Sequence, residues 1–276
     1  MKSVDGTAHL AGVPMSRLTT LELGGPAKRL VTAWRERDLV ELVADCDARG
    51  EAVMALGGGS NVVFADAGFD GTLVRVATRG IVLHEDSVDV AAGEPWDDFV
   101  AWCVRAGLAG VECLSGIPGL VGATPIQNVG AYGQEVKDTI ASVRAWDRKE
   151  SRVVVLSNAA CRFSYRHSML KESSRFVVLR VSFALRKSVQ STGIRYAELA
   201  RAVGGESVPL ARVRETVIAL RRGKGMVLDP NDPDTRSAGS FFVNPTMDEA
   251  SYEALAARAG EKVPRFASDD GRVKVP

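Results

Sequence analysis

Between Arg35 and Arg49 the apolar residues Leu39, Val40, Leu42, Val43 and Cys46 recur on one stripe at helical spacing. Gly50 stands where a C-terminal cap glycine belongs, so an amphipathic helix is predicted. A short apolar run, Ala52–Leu56, follows as a buried strand and enters Gly57-Gly58-Gly59-Ser60-Asn61, after which Val62-Val63-Phe64 continues as extended chain. Thr72–Val76, Ile81–His84 and Val88–Ala91 read as short strands separated by glycine and acidic turns, and Trp96–Arg105 reads as a helix burying Phe99, Val100 and Cys103. From Leu114 to Gly133 the chain is glycine-rich, punctuated by proline and still apolar. It is too irregular for one element and too apolar for a disordered linker, and an ordered ligand-binding loop is expected. Strands are predicted at Ile140–Asp147, Val153–Leu156 and Phe176–Leu185, and helices around Tyr196–Val203, at Leu210–Arg222 and at Asp248–Ala259. A domain boundary is expected near Gly204-Gly205, and the chain reaches Lys274-Val275-Pro276 without a recognisable closing element. The mixture of periods predicts an α+β protein.

Composition narrows the function classes. The 276 residues are long enough for two or three packed units, and 35 Lys plus Arg against 34 Asp plus Glu leave a formal charge of +1. No whole-molecule field would gather nucleic acid or an anionic membrane, so an anionic ligand needs a local site. Met1 to Thr20 shows no basic flank followed by an apolar stretch, and no apolar run approaches the roughly 18 residues of a membrane span. A cytoplasmic protein with no nucleic-acid or membrane partner is expected. Cys46, Cys103, Cys113 and Cys161 are scattered and read as reduced core thiols, and His9, His84 and His167 share no metal-ligand spacing, so no metal is expected.

Two segments carry candidate chemistry. Gly57, Gly58 and Gly59 would let backbone N–H groups approach an anion closely, and Ser60 and Asn61 add side-chain donors, which together suit a pyrophosphate. Val62 stands where the dinucleotide-binding fingerprint of doubly wound sheets has its third glycine, so a dinucleotide bound here belongs to a different fold. The second segment runs Ser115-Gly116-Ile117-Pro118-Gly119-Leu120-Val121-Gly122-Ala123-Thr124-Pro125-Ile126-Gln127-Asn128-Val129-Gly130-Ala131-Tyr132-Gly133. Small backbone positions, two prolines that fix the path, and the amides of Gln127 and Asn128 are what a flat heteroaromatic ring with edge donors and acceptors requires.

Thr19-Thr20, the Gly57–Asn61 turn, Ser115–Gly133, Phe163-Ser164-Tyr165-Arg166, Arg221–Lys224 and Gly239-Ser240-Phe241-Phe242-Val243-Asn244-Pro245 occur in the order found in the UDP-N-acetylenolpyruvoylglucosamine reductases, the MurB family. The resemblance covers nearly the whole chain. It implies an FAD-binding fold of the vanillyl-alcohol-oxidase type made of two α+β subdomains, here 1–80 and 81–205, followed by a partial α/β substrate-binding domain at 206–276. FAD would be held non-covalently by Gly57 to Asn61 and by Ser115, Gly116, Ile117, Gly119, Gly122, Ala123, Thr124, Gln127, Asn128, Gly130, Ala131 and Tyr132.

The same resemblance implies an enzyme of cell-wall precursor synthesis, with NADPH as co-substrate and a UDP-sugar as substrate; a monomer is expected. Arg166, which alone reads as a surface arginine, matches the residue that polarises the substrate carboxylate; Ser240, alone a loop serine, matches the proton donor. Tyr165 and Tyr196 match substrate contacts. Arg221 and Lys224, otherwise a basic helix end, match contacts to the UDP diphosphate or to the NADPH phosphates, together with Asn244. The family also carries a catalytic glutamate near its C-terminus. Glu253 and Glu261 lie too soon after the Gly239–Pro245 motif to match it, so the resemblance is to a C-terminally truncated member and low activity is expected. Two rivals stay open on the residues alone: an FAD-linked oxidase of the same superfamily, and a non-catalytic flavin- or nucleotide-sugar-binding module.

Overall fold

The computed structural model describes residues 9–171, 173–192, 194, 196–205, 207–239, 242–268 and 271–275. The first sheet has the order β1 (His9–Pro14), β2 (Pro26–Ala33), β4 (Phe69–Val76), β3 (Val53–Leu56), in which β1 is antiparallel to β2 while β2 and β3 each run parallel to β4. Helix α1 (Glu36–Ala48) makes the crossover from β2 to β3. Glu36 and Asp38 occupy its first turn, favourable against the helix dipole, and Gly50 beyond its end adopts φ +64° as the cap reading required. Leu39, Val43 and Cys46 are its buried stripe. The parallel strands all end at one edge of the sheet, and the Gly57 turn leaves from that edge, where open parallel sheets place their ligands.

The second sheet is antiparallel, ordered β11 (Arg152–Ser157), β10 (Ile140–Asp147), β12 (Phe176–Phe183), β6 (Val88–Ala91), β5 (Ile81–Leu83). Helix α2 (Trp96–Arg105) buries Trp96, Phe99, Val100 and Cys103. Phe99 stands 5.0 Å from Phe183 and 5.8 Å from Trp96 between ring centroids, and the Trp96 indole N–H donates to the Leu114 carbonyl at 3.0 Å, so a large apolar ring is buried with its polar atom satisfied. Val74 and Leu39 of the first sheet's side belong to this same core. Ion pairs close the seam: Arg144 reaches Glu36 at 2.8 Å, and Arg148 holds Asp47 in a fork at 2.6 and 2.9 Å.

Short pairs complete the order: β7 (Leu108–Ala109) with β13 (Arg186–Lys187), β8 (Gly130–Ala131) with β9 (Gln134–Glu135), and β14 (Gln190–Thr192) with β15 (Ser207–Pro209). Helices α3 (Ala197–Val203) and α4 (Leu210–Arg222) bury Leu199, Val213 and Val217 together with Val208 of β15 against Cys113, and Arg214 clamps Asp97 of α2 at 2.6 and 2.7 Å. The β14–β15 pairing therefore crosses the expected boundary near Gly205. Beyond α4 lies a three-stranded sheet, β16 (Thr246–Met247), β18 (Val273–Lys274), β17 (Phe266–Ala267), with α5 (Glu249–Ala259), none of whose residues is buried. β18 is the central strand of that sheet, and its partners are two residues each, too short to leave an apolar pattern. Among the described residues no helix is long and apolar enough to cross a membrane, and no cluster of His, Cys, Asp or Glu could hold a metal ion.

The four cysteines are free and buried. Burial pushes the Cys113 thiol up to about 12 and that of Cys161 up to about 11, so both stay protonated as packing groups.

Candidate active site

The two glycine segments interlock. A Cβ on Gly58 would stand 2.9 Å from the Gly119 Cα, and one on Gly59, which sits at φ +68°, would stand 1.9 Å from the Leu18 carbonyl oxygen. Only glycine permits either approach. Side chains tie the same surfaces: Ser60 donates to the Pro118 carbonyl at 3.3 Å, and the Asn61 amide donates to Gln127 Oε1 at 3.0 Å. The backbone N–H groups of Gly58, Gly59 and Ser60 meet no acceptor among the described residues. Beside them opens a cavity of about 290 Å³ lined by Arg17, Leu18, Thr19, Thr20, Leu56, Gly57, Gly58 and Arg75. Free amide donors, two guanidinium groups and a volume near the lower end of ligand sites, about 300 Å³, fit the pyrophosphate region of a dinucleotide such as FAD. Arg17 and Arg75 were not expected from the sequence. The signal available was Arg75, an exposed position in a strand buried at Val74 and Val76.

The second segment is held from several sides. Gly116 N–H donates to Asp97 at 2.6 Å, Gly122 N–H donates to the Ala92 carbonyl at 2.9 Å, and a Cβ on Gly122 would lie 2.5 Å from that of Ala92. Ser115 and Thr124 are buried and donate to the Glu112 and Val121 carbonyls. Ile117, Gly119, Ala123, Gln127, Gly130, Ala131 and Tyr132 are half-buried and line its accessible side. Asn128 is fully buried at φ 47°, and its amide donates to Glu135 and to the Ser164 carbonyl, both at 3.0 Å. It is therefore a structural clamp in this structure and offers no exposed edge to a ring.

Two cationic groups flank this segment. At one end Arg166 donates through Nη2 to the Gly130 carbonyl at 2.6 Å and through Nη1 to the Asn128 carbonyl at 3.4 Å and to Glu135 at 3.3 Å. Its guanidinium lies 5.1 Å from the centre of the Tyr165 ring, over which Lys274 also places its ammonium at 4.5 Å. At the other end Arg221 is buried and donates from Nη2 to the Met226 carbonyl at 2.8 Å, while its Nε–H has no acceptor among the described residues. Burial holds its pKa below the ordinary arginine value, with Tyr132 and Asp97 opposing. A buried cation with an unspent donor fits an anionic ligand. Tyr132 meets Tyr196 edge to face at 5.3 Å, and Lys224 is paired with Glu198 at 2.8 and 2.9 Å. Asn244 is half-buried just before β16, and Ser240 lies outside the described residues.

Comparison with known proteins agrees with this geometry. Residues 27–157 match the family model described as an FAD binding domain. A UDP-N-acetylenolpyruvoylglucosamine reductase of Streptomyces coelicolor is 52% identical over 99% of this chain and 74% of its own length. The chain belongs to the UDP-N-acetylenolpyruvoylglucosamine reductase family. The Salinispora arenicola relative of the same name is 53% identical over 98% of this chain and 76% of its own. A reductase of this family from Thermus caldophilus shares the fold, with a TM-score of 0.62 at 24% identity over 98% of this chain and 87% of that one. The α+β FAD-binding fold is thus the fold of this reductase family, and the two interlocked glycine segments both lie within the matched FAD domain.

Proposed function

We propose that this chain reduces UDP-N-acetylglucosamine enolpyruvate to UDP-N-acetylmuramate with NADPH, using FAD bound non-covalently. One observation carries the reading in physical terms: Arg166 is anchored on the carbonyls of Asn128 and Gly130, in the same segment that interlocks with the Gly57–Asn61 turn. A fixed guanidinium and the flavin-holding loops therefore share one scaffold. The chemistry that bound FAD supplies is hydride transfer, in from NADPH and out to the terminal enolpyruvyl carbon.

The residues do the rest. Gly57 to Asn61 present their amides to the pyrophosphate, with Arg17 and Arg75 beside it, while the accessible side of 115–132 receives the flavin ring. Arg166 holds the substrate carboxylate and offsets the enol-like charge that develops next to it. Ser240 gives a proton to the carbon bearing that carboxylate. Arg221, Lys224 and Asn244 take the diphosphate, Lys224 through the N–H left over by its two bonds to Glu198, and Tyr165 and Tyr196 contact the sugar-nucleotide. Residues 1–80 and 81–205 act as the FAD-binding halves and 206–276 on the substrate side. The net charge of +1 supplies no field for nucleic acid or an anionic membrane and leaves the ligands as small molecules, and the chain is read as a cytoplasmic monomer.

The test is product identity. Incubation of the flavin-loaded, full-length protein with NADPH and the enolpyruvyl UDP-sugar should bleach the nicotinamide absorbance and yield the lactyl ether, heavier by two hydrogens. NADPH oxidation that continues unchanged without the UDP-sugar, and leaves it unaltered when present, would exclude the reading.

A further inference from the structure

Glu135 belongs to none of the roles above, yet it meets Arg166, Asn128 and Lys137 at once. Its Oε1 accepts from Arg166 Nη1 at 3.3 Å, and its Oε2 accepts from the Asn128 amide at 3.0 Å and from Lys137 Nζ at 3.1 Å. Asn128 completes the link by accepting from the Lys137 backbone N–H at 3.1 Å and donating to the Ser164 carbonyl, one residue before Tyr165. The β8–β9 hairpin is thereby joined to the turn that carries Arg166.

The backbone around this network is tightly constrained. Asn128 sits at φ 47°, a left-handed conformation that asparagine adopts readily, and Arg166 at φ 54°, where a long side chain needs its surroundings to hold it. A Cβ on Gly130 would lie 2.8 Å from Arg166 Nη1 and 2.7 Å from Glu135 Cγ, so the guanidinium and the carboxylate close over a position that admits no side chain. Of the five N–H donors of an arginine, both on Nη1 and one on Nη2 are occupied. Nε–H and the second Nη2–H make no hydrogen bond among the described residues. The occupied donors fix which edge of the fork remains for a ligand.

We infer that Glu135 is a positioning residue for the reduction: it anchors Arg166 by its Nη1 edge, so that the Nε and Nη2 donors face the substrate carboxylate. The inference rests on the proposed role of Arg166 and adds to it. Without the carboxylate the guanidinium keeps its two carbonyl acceptors but loses its only charged partner among the described residues, and small misplacement of a charge-stabilising group is enough to slow a reaction about 10²-fold.

The experiment separates the two half-reactions in the flavin-loaded, full-length protein carrying Glu135→Gln, Arg166→Ala or both. Glu135→Gln keeps the size and one acceptor, so folding is preserved; thermal unfolding and flavin content serve as the check. Expected are a slowing of flavin reoxidation by the UDP-sugar of about 10- to 10²-fold, flavin reduction by NADPH within about twofold of wild type, and no further slowing when Glu135→Gln is added to Arg166→Ala, as coupled sites require. Equal slowing by Glu135→Gln in both backgrounds, or equal loss in both half-reactions, would show a general structural role and overturn the inference. So would wild-type reoxidation in Glu135→Gln alongside a slow Arg166→Ala. Wild-type reoxidation in Arg166→Ala would overturn the role of Arg166 itself.

Discussion

Arg166 carries its guanidinium on a backbone at φ 54°, a conformation that costs about 1–3 kcal/mol and persists because two carbonyls and a carboxylate hold the side chain. A group fixed in this way loses little on meeting a transition state. Replacing it by alanine should slow flavin reoxidation by the UDP-sugar by about 10²- to 10³-fold, and Ser240→Ala should slow the same step by about 10²- to 10⁴-fold. Loss of flavin reduction by NADPH with reoxidation intact would reverse these roles. Arg175 binds the buried Asp147 carboxylate at 2.6 and 2.8 Å and holds its pKa down to about 2, against about 3.9 for an unfolded aspartate. Because the folded value is the lower one, the stabilisation is present above the unfolded value and is lost as pH falls through about 2. Asp147→Asn should therefore lower the melting temperature at pH 7, and the two proteins should converge toward pH 2; an equal gap at both pH values would contradict this. Among single residues, Arg166 was legible only through the Phe163–Arg166 motif and its order among others. Glu135 gave no signal, because its importance arises from a partner 31 positions later, and Arg17 and Arg75 acquire meaning only where β4 and the loop before β2 meet.

At the scale of elements, the strongest periodic signals were legible to the residue: Val88–Ala91, Trp96–Arg105, Ile140–Asp147 and Leu210–Arg222 match β6, α2, β10 and α4. Each buries one coherent stripe or face, so local pattern and tertiary packing agree. β1 and β2 were not anticipated, since Pro26–Ala33 mixes lysine and arginine with Leu30 and Val31 and its place is set by pairing with β4 some forty residues on. The tiny strands β16 to β18 leave no periodicity at all. The glycine segments, by contrast, were legible from composition, because close backbone approach demands that residue type. Gly59→Ala combines a left-handed backbone with a clash against a carbonyl oxygen and should cost at least about 1–3 kcal/mol and reduce flavin content; a variant that melts like wild type with full flavin would contradict the interlock. α5, with no buried residue, is held by its Asp248 cap on Ser251, the Tyr252 hydroxyl on Val263 and the Glu249–Arg265 pair. Its amides should exchange with deuterium well before those of α2, and protease should cut after α4 before it cuts within the two-sheet core.

Across the whole molecule the architecture places two cationic ends, Arg166 and Arg221, on either side of one glycine-rich segment laid against a second glycine turn. The α1 ion pairs to Arg144 and Arg148 keep the two sheets that carry these loops in fixed relation. Ligand binding should tighten that arrangement: FAD at a hundredfold excess over its dissociation constant should add about 2.7 kcal/mol to stability, read as a rise in melting temperature. The most direct test of the account is sequential stopped-flow on the FAD-loaded, full-length protein. NADPH should first bleach the flavin band, and the enolpyruvyl UDP-sugar, mixed second and without oxygen, should restore it while the lactyl ether appears in equal amount. A reduced flavin that stays bleached when the UDP-sugar is added, but reoxidises at once in air, would contradict the claim that this site reduces that substrate.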